Sequence, residues 1–245
     1  MHCQPGYKHE VYIWSKNTQT CLICDEPAQT ADCVCNVCET ELPWLMEQCE
    51  VCALPLPMEG LICGQCQQHT PAFKQVIAPW SYSFPIDSLI SRFKHAAHWP
   101  LGHMLGRLMG HYLHHRFDNT GLARPDLLLP VPMARKRLRE RGYNQALMLT
   151  RWLSTDLDIP YDEHLLLRPH ETVAQQALDA KTRKRNLLHA FALATDAQVQ
   201  DRHFAVVDDV LTTGATAHSL AQLLINAGAR QVDVYCLART PKPGT

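Results

Sequence analysis

Net charge is what this sequence most lacks. Its 23 Lys and Arg against 24 Asp and Glu leave a formal charge of −1, so no global positive field draws the chain to nucleic acid, and any such site must come from local patches. No apolar run is long enough to span a bilayer. The opening residues, MHCQPGYKHEVYIWSKNTQT, lack the basic-then-apolar pattern of an export signal, and a cytoplasmic protein is expected. Past residue 70 cysteine is almost missing. Only Cys236 occurs there, whereas the other ten of the eleven come earlier. A cluster of that kind in a cytosolic chain points to metal rather than to disulfides. What is present is ample for a core: 245 residues, 46% of them hydrophobic, make a globular protein of one or two domains.

The early cysteines form four Cys-x2-Cys pairs, Cys21/Cys24, Cys35/Cys38, Cys49/Cys52 and Cys63/Cys66, each beginning fourteen residues after the last. Two such knuckles complete one tetrahedron, so four knuckles make two closed four-thiolate sites. A closed site has no open position for water. The two zinc ions are therefore structural, supplying folding energy that a short polar segment cannot obtain from a core. Iron–sulfur ligation is the competing chemistry, although ferredoxin-type spacings differ from this regular one. Consecutive pairing suits the ten-residue links, and a cross-braced pairing stays open. Cys33 is read as a bystander thiol. Residues 1–20, polar and without period, are expected to be a disordered tail, with Cys3 unassigned. The double zinc ribbon is expected over residues 21–69 and a larger domain over residues 70–245.

In that larger domain the stretch from Phe204 to Thr216, FAVVDDVLTTGAT, brings several features together. Four apolar, β-prone residues suit a buried parallel strand, and Asp208 and Asp209 mark where it leaves the core. Thr212, Thr213 and Thr216 offer hydroxyls, Gly214 lets the backbone approach closely, and a helix with apolar spacing opens at Ala215 and ends by Gly228. A helix N-terminus after a parallel strand favours a phosphate, and ligands of open α/β sheets bind at this edge. Two carboxylates would repel the phosphate itself but suit a sugar's vicinal hydroxyls and a Mg²⁺ ion beside a pyrophosphate. A phosphorylated sugar is the implied ligand. The stretch resembles the phosphoribosyl pyrophosphate (PRPP) motif of type I phosphoribosyltransferases and departs from it nowhere. That resemblance implies a parallel sheet flanked by helices, with a hood over the site.

Elsewhere, residues 75–82 read as a strand, and helices are expected from Ile86 to His98 and from Leu101 to Phe117, broken at Pro100. His111, His114 and His115 could share a helical face as ligands, but with no carboxylate or cysteine nearby a solvated face is the better reading. Residues 126–132 read as a buried strand ended by prolines. Arg135, Lys136, Arg137, Arg139 and Arg141 follow within seven residues. Placement after a parallel strand puts these cations at the edge that holds the aspartates, where a pyrophosphate leaving group would sit. A further helix runs to Leu157, a second basic cluster spans Lys181 to Arg185, and Gln231 to Ala238 closes the sheet.

With the cysteine array, Tyr82, Phe93-Lys94, Pro130-Val131-Pro132, Arg137, Arg141-Gly-Tyr-Asn-Gln145, Thr172, Gln175, Leu178, Arg183, Asn186 and Ala190-Phe191 in order, the chain resembles the ComF (GntX-like) family of competence and DNA-utilisation proteins. The one mild departure is Tyr143, where the family usually has Phe. Two functions follow from the resemblance. In one the chain is a phosphoribosyltransferase: Asp208 and Asp209 hold the ribose side of PRPP with Mg²⁺, Thr212, Thr213, Gly214, Ala215 and Thr216 hold its 5′-phosphate, and Arg137 and Arg141 stabilise departing pyrophosphate for an acceptor the sequence does not reveal. In the other it is a binding module for DNA uptake that engages single-stranded DNA weakly, or a DNA-uptake helicase, and keeps PRPP or a related sugar phosphate as a ligand. Trp44 and Phe73 could stack on bases, with packing the better reading for both. The expected protein is ComF-like and retains a PRPP site.

Overall fold

The computed structural model describes residues 19–28, 32–169 and 190–242. Residues 1–18 of the expected tail, most of the expected hood, the Lys181 to Arg185 cluster and the motif positions from Thr172 to Asn186 lie outside the described residues, whereas Gln19 and Thr20, expected in the tail, form a short strand. The chain divides into two compact units, Met1–Thr40 and Glu41–Thr245. The division falls between the two four-cysteine groups, so the second group is part of the larger unit.

In the smaller unit β1 (Gln19–Thr20) pairs antiparallel with β2 (Pro27–Ala28), and α1 (Asn36–Thr40) follows. Asp25 turns the hairpin at φ +63°, and Cys21 N–H donates across it to Glu26 O at 2.7 Å. Cys21, Ala28 and Val34 are its buried apolar residues among those described, far too few to offset the entropy of ordering the segment.

The larger unit is built on a parallel sheet in the order β3–β9–β8–β5, with β4 also pairing β9. Its strands are β3 (Val76–Ile77), β4 (Trp80–Ser81), β5 (Leu127–Pro130), β8 (His203–Leu211) and β9 (Gln231–Arg239). A small antiparallel pair, β6 (Leu166–Leu167) with β7 (Ala192–Leu193), stands apart from it. The parallel sheet flanked by helices that the resemblance implies is thus present. The helices are α2 (Gly64–Gln68), α3 (Ile86–Ala96), α4 (Trp99–Asn119), α5 (Arg135–Arg141), α6 (Gln145–Leu157) and α7 (Ala215–Asn226). Ala217, Leu220, Ala221 and Leu224 of α7 bury against Leu127, Leu129, Phe204, Val206, Val232 and Val234. Strands covered on both faces read as continuous apolar runs, and β8 and β9 do so through their middles.

Two further expectations need correction. Pro100 does not break a helix. It sits in the first turn of α4, where a missing N–H costs nothing, and the chain turns instead at Ala97, in the left-handed region at φ 49°. Strand β8 does not leave the core at Asp208 but continues to Leu211, with Asp208 opposite Cys236 and Leu211 opposite Arg239. The apolar pair Val210-Leu211 extends the ladder past the acids.

The second cysteine group rides on this sheet. Val51 and Cys52 pack against the main core, Val76 N–H donates to Val51 O at 2.9 Å and Leu45 N–H to Pro79 O at 2.8 Å. Phe73 is buried, and Trp44 lies 5.4 Å from Trp80 and 6.3 Å from Tyr112 between ring centroids. Both aromatics serve packing. Helix α3 is seated on α4 at Gly102, where a β-carbon would come within 2.5 Å of the Phe93 ring. That ring is fully buried between Tyr143 and Trp152, so only glycine permits the approach that sets the next residue, Lys94, in place.

Candidate functional site

In each unit one four-cysteine group brings its sulfur atoms within 4.8 Å of one another: Cys21, Cys24, Cys35 and Cys38 in the smaller, Cys49, Cys52, Cys63 and Cys66 in the larger. The grouping is consecutive, and Cys33 is outside it. Cys24 and Cys35 Sγ are 3.7 Å apart, as are Cys52 and Cys63 Sγ. A tetrahedron of metal–sulfur bonds of about 2.3 Å has edges of about 3.7 Å, so four thiolates at this separation fit a zinc-sized ion. Backbone N–H groups point at the sulfurs, Cys38 N–H to Cys35 Sγ at 3.5 Å and Cys63 N–H to Cys49 Sγ at 3.3 Å. Burial pushes the Cys49 thiol up, but amide donors from Cys63, Cys52 and Val51 outweigh it and bring the pKa down to about 7. Cys21 is lowered to about 7 in the same way, with amides of Cys35, Cys24 and Ile23 outweighing its burial. Cys21 and Cys49 thus favour thiolate, the form that binds metal, whereas burial pushes the Cys38, Cys52 and Cys66 thiols up.

The acidic pair stands at the C-terminal end of β8. Asp209 is 4% exposed, and its Oδ2 lies 2.9 Å from Lys94 Nζ of α3. Asp208 is half-buried and accepts from Asp209 N–H at 2.9 Å. Burial, with the Asp209 carboxylate second, pushes the Asp208 carboxyl up to about 8, against the opposing pull of the Asp209 amide and Lys94. Among the described residues one lysine therefore serves two acids, and the second holds its proton up to about pH 8.

Beyond Leu211 the chain forms the loop Thr212–Thr216, whose first two threonines are exposed. Ala215 N–H donates to Thr213 Oγ1 at 3.3 Å. Gly214 is the N-cap of α7 at φ 75°. Nothing stands within 4 Å of the place of its absent β-carbon, so left-handed conformation rather than space calls for glycine. This 12-residue helix begins at Ala215, four residues after the end of β8, so its N-terminus, where a phosphate is favoured, follows directly on the strand that carries the aspartates.

Lys94 also joins the acids to a basic cleft. Together with His95, Ala97, Arg137, Glu140, Arg141 and Tyr143 it lines an open cleft of about 500 Å³. The Arg-Gly-Tyr-Asn-Gln motif builds this wall residue by residue. Gly142, at φ 84°, ends α5 in the left-handed conformation. Asn144 caps α6 by accepting from Ala146 N–H at 3.0 Å and donates to Val131 O at 3.0 Å, which ties the helix to the end of β5. Gln145 receives Arg141 Nη1 at 2.6 Å and holds its guanidinium. The Tyr143 hydroxyl donates to Phe93 O, beside Lys94. Phe has no hydroxyl for this bond, so Tyr143 adds a tether here.

The structure thus gathers Asp208, Asp209, Arg137 and Arg141 around Lys94, with the threonine loop continuing from the strand that carries the aspartates. The loop does not line the cleft. Histidine ligation on α4 is not formed among the described residues, where His114 Nε2 instead pairs with Asp156 O at 3.1 Å. Sequence reading did not single out Arg168, whose guanidinium lies over the Phe191 ring at 5.3 Å. Burial, and secondly the positive charge of Arg137, lower its pKa.

The raised pKa of Asp208 carries a stability signature. In the unfolded chain the carboxyl ionises at roughly pH 4, the ordinary carboxylate range, whereas in the folded protein it holds its proton to about 8. Its stabilising contribution is full below the lower value and is lost as pH rises between the two. Asp208→Asn removes the titration, so the Tm of the variant minus that of the wild type should grow from pH 5 to pH 8 in thermal scans. A constant difference would refute the assignment.

No family model matches the chain. DNA utilization protein YhgH of Escherichia coli (strain K12) is 36% identical over 221 residues, covering 90% of this chain and 96% of that protein. Competence protein F of Haemophilus influenzae is 35% identical over 178 residues, 72% of this chain and 78% of that protein. Among solved structures, purine phosphoribosyltransferase from Pyrococcus horikoshii is 18% identical over 55% of this chain and 70% of its own, with a TM-score of 0.34. A hypoxanthine phosphoribosyltransferase from Staphylococcus aureus is 13% identical over 58% and 65%, with a TM-score of 0.36. Two relatives above 30% identity, each covered over more than two thirds of its length, place this chain in the ComF family of DNA utilization and competence proteins.

Proposed function

We propose that the protein binds PRPP with Mg²⁺ at the C-terminal end of β8 and acts in the uptake or utilisation of DNA, as the names of its relatives suggest. The observation that carries the first half is the buried Asp209 paired to Lys94 at 2.9 Å, beside an acid that keeps its proton and before a glycine-capped helix N-terminus. Asp208 and Asp209 take the ribose side and Thr212 to Thr216 the 5′-phosphate. Lys94, Arg137 and Arg141 face the pyrophosphate. The Mg²⁺ ion would neutralise part of the pyrophosphate charge where the aspartates lie. Any transfer from this site relies on positioning and electrostatics, with an incoming acceptor as the nucleophile.

In thermal scans, PRPP with Mg²⁺ should raise the Tm, because a ligand that binds only the folded state adds roughly 2.7 kcal/mol at a hundred times its Kd. Replacing Asp208 and Asp209 together by Asn should abolish the rise. No rise in the wild type at millimolar PRPP would end this reading. Pyrophosphate release from the same samples, with a panel of bases, separates a transferase from a binding protein.

The two cysteine groups are proposed as structural zinc sites, since each is closed by four thiolates at zinc-like spacing. Protein purified without added metal should contain about two zinc ions per chain, because eight thiolates fill two closed sites. Iron with sulfide in the sample would overturn this.

For DNA, support comes from α5, where Arg135, Lys136, Arg137 and Arg139 are all exposed. Single-stranded DNA should bind weakly, with affinity falling on a log–log salt slope of about −0.7 per neutralised phosphate. PRPP should compete for part of that surface. Fluorescence anisotropy with a labelled oligonucleotide at several salt concentrations checks both. Tight binding indifferent to salt would move the nucleic-acid site elsewhere.

A further inference from the structure

Arg239, the last residue of β9, is 6% exposed. Its guanidinium is spent on main-chain carbonyls. Nε donates to Cys52 O at 2.9 Å, and Nη1 donates to Leu211 O at 3.1 Å, Thr212 O at 2.5 Å and Thr240 O at 2.7 Å. Cys52 belongs to the first knuckle of the second cysteine group, whereas Leu211 ends β8 and Thr212 begins the threonine loop. A single buried cation therefore grips a metal-binding knuckle from behind and the base of the loop in front. Arginine suits the task because its donors stand in a rigid planar fork, which the point charge of lysine does not reproduce. Carbonyls stripped of that fork would be left without charged donors, and unpaired buried acceptors are expensive.

The knuckle side of this bridge is held twice, by the packing of Val51 and Cys52 on the main core and by closure of the cluster. Cys52 is joined to the cluster by its sulfur, 3.7 Å from Cys63 Sγ, and to Arg239 by its carbonyl. Opening the cluster lets the Cys52 carbonyl shift, and Arg239, whose backbone stays in β9 opposite Leu211, loses the partner that orients its guanidinium from the knuckle side. We propose that Arg239 is a positioning residue for the ligand site: through it, closure of the second cysteine group by metal fixes the threonine loop in its binding conformation. The binding half of this inference rests on the PRPP reading above. The loop-ordering half does not. Linkage makes the coupling reciprocal, so ligand on the loop should also raise the metal affinity of the second group.

The test uses the full chain with its metal bound. Hydrogen exchange read by mass spectrometry follows peptides covering residues 211–217, and calorimetry follows PRPP with Mg²⁺. In Arg239→Gln and Arg239→Lys the loop amides should exchange at least tenfold faster and the Kd for PRPP should rise at least tenfold, with metal content unchanged. Cys52→Ser should speed loop exchange to the same extent. Combining it with Arg239→Gln should add nothing, since both act through one connection. Chelation of the wild type, with loop exchange followed as metal leaves the second group, gives the same comparison without a substitution. An Arg239 variant that keeps its metal and exchanges its loop at the wild-type rate would overturn the proposal, as would additive effects in the double variant. Wild-type protein that fails to bind PRPP but shows the exchange coupling would refute the ligand reading and leave the bridge standing.

Discussion

Burial of β8 and β9 on both faces is the constraint on which the rest of the larger unit depends. A strand covered by helices on either side can carry polar side chains only where they find partners, and here these gather toward the strand ends. The middles, Phe204 to Val207 and Val234 to Ala238, are fully buried. At the N-terminal end His203 Nε2 meets Asp233 Oδ2 at 3.0 Å, and Gln231 and Gln75 donate to the same carboxylate. That end satisfies itself. The C-terminal end carries Asp208, Asp209 and Arg239, and among the described residues its acids draw on one lysine. The two edges of one sheet thus differ in kind. One is a closed polar network, and the other holds an electrostatic arrangement that another cation would complete.

That second edge is assembled through packing as much as through charge. Lys94 can pair with Asp209 only because α3 lies close to α4, and α3 lies close because Gly102 admits the Phe93 ring. The same turn of α3 is held from the other side by the Tyr143 hydroxyl on Phe93 O. Tyr143 in turn stands between the left-handed Gly142 and the Asn144 cap of α6. A glycine, an aromatic cluster and a helix cap therefore converge on the position of one ammonium group. A misplacement of the order of 1 Å is enough to impair such a constellation, which is why the surrounding residues are so tightly specified.

Legibility in the sequence followed the range over which each feature is encoded. The run from Phe204 to Thr216 could be read as strand, acids, loop and helix because all of its signals are contiguous. The fourteen-residue period of the cysteines likewise announced two closed groups. Strand β8 outran its expected end because Val210 and Leu211 look like the start of a loop until β9 is beside them. Pro100 looked like a break because proline's signature is the same at a helix start as at an interruption. The pairing of Lys94 with Asp209 and the bridge made by Arg239 left no trace in local pattern. Each joins residues far apart in sequence, and in a single sequence a charge that will meet an acid looks the same as one that will meet water.

The regular spacing of the cysteine pairs also conceals an asymmetry. By spacing alone the two groups are equivalent, yet the first has only Ala28 and Val34 as buried apolar neighbours among the described residues of its unit. The second packs Leu54 within its own cluster and presses Val51 and Cys52 onto the main core. At about 25 cal/mol per Å² of apolar surface buried, a few side chains contribute only a few kcal/mol, well short of the entropy of ordering twenty or more residues. The first group must therefore take most of its order from metal, whereas the second shares the stability of the sheet beneath it. Equal ligand sets then have unequal roles: one closes a segment that has little else to hold it, and the other anchors a knuckle whose backbone already belongs to the edge where the ligand loop begins.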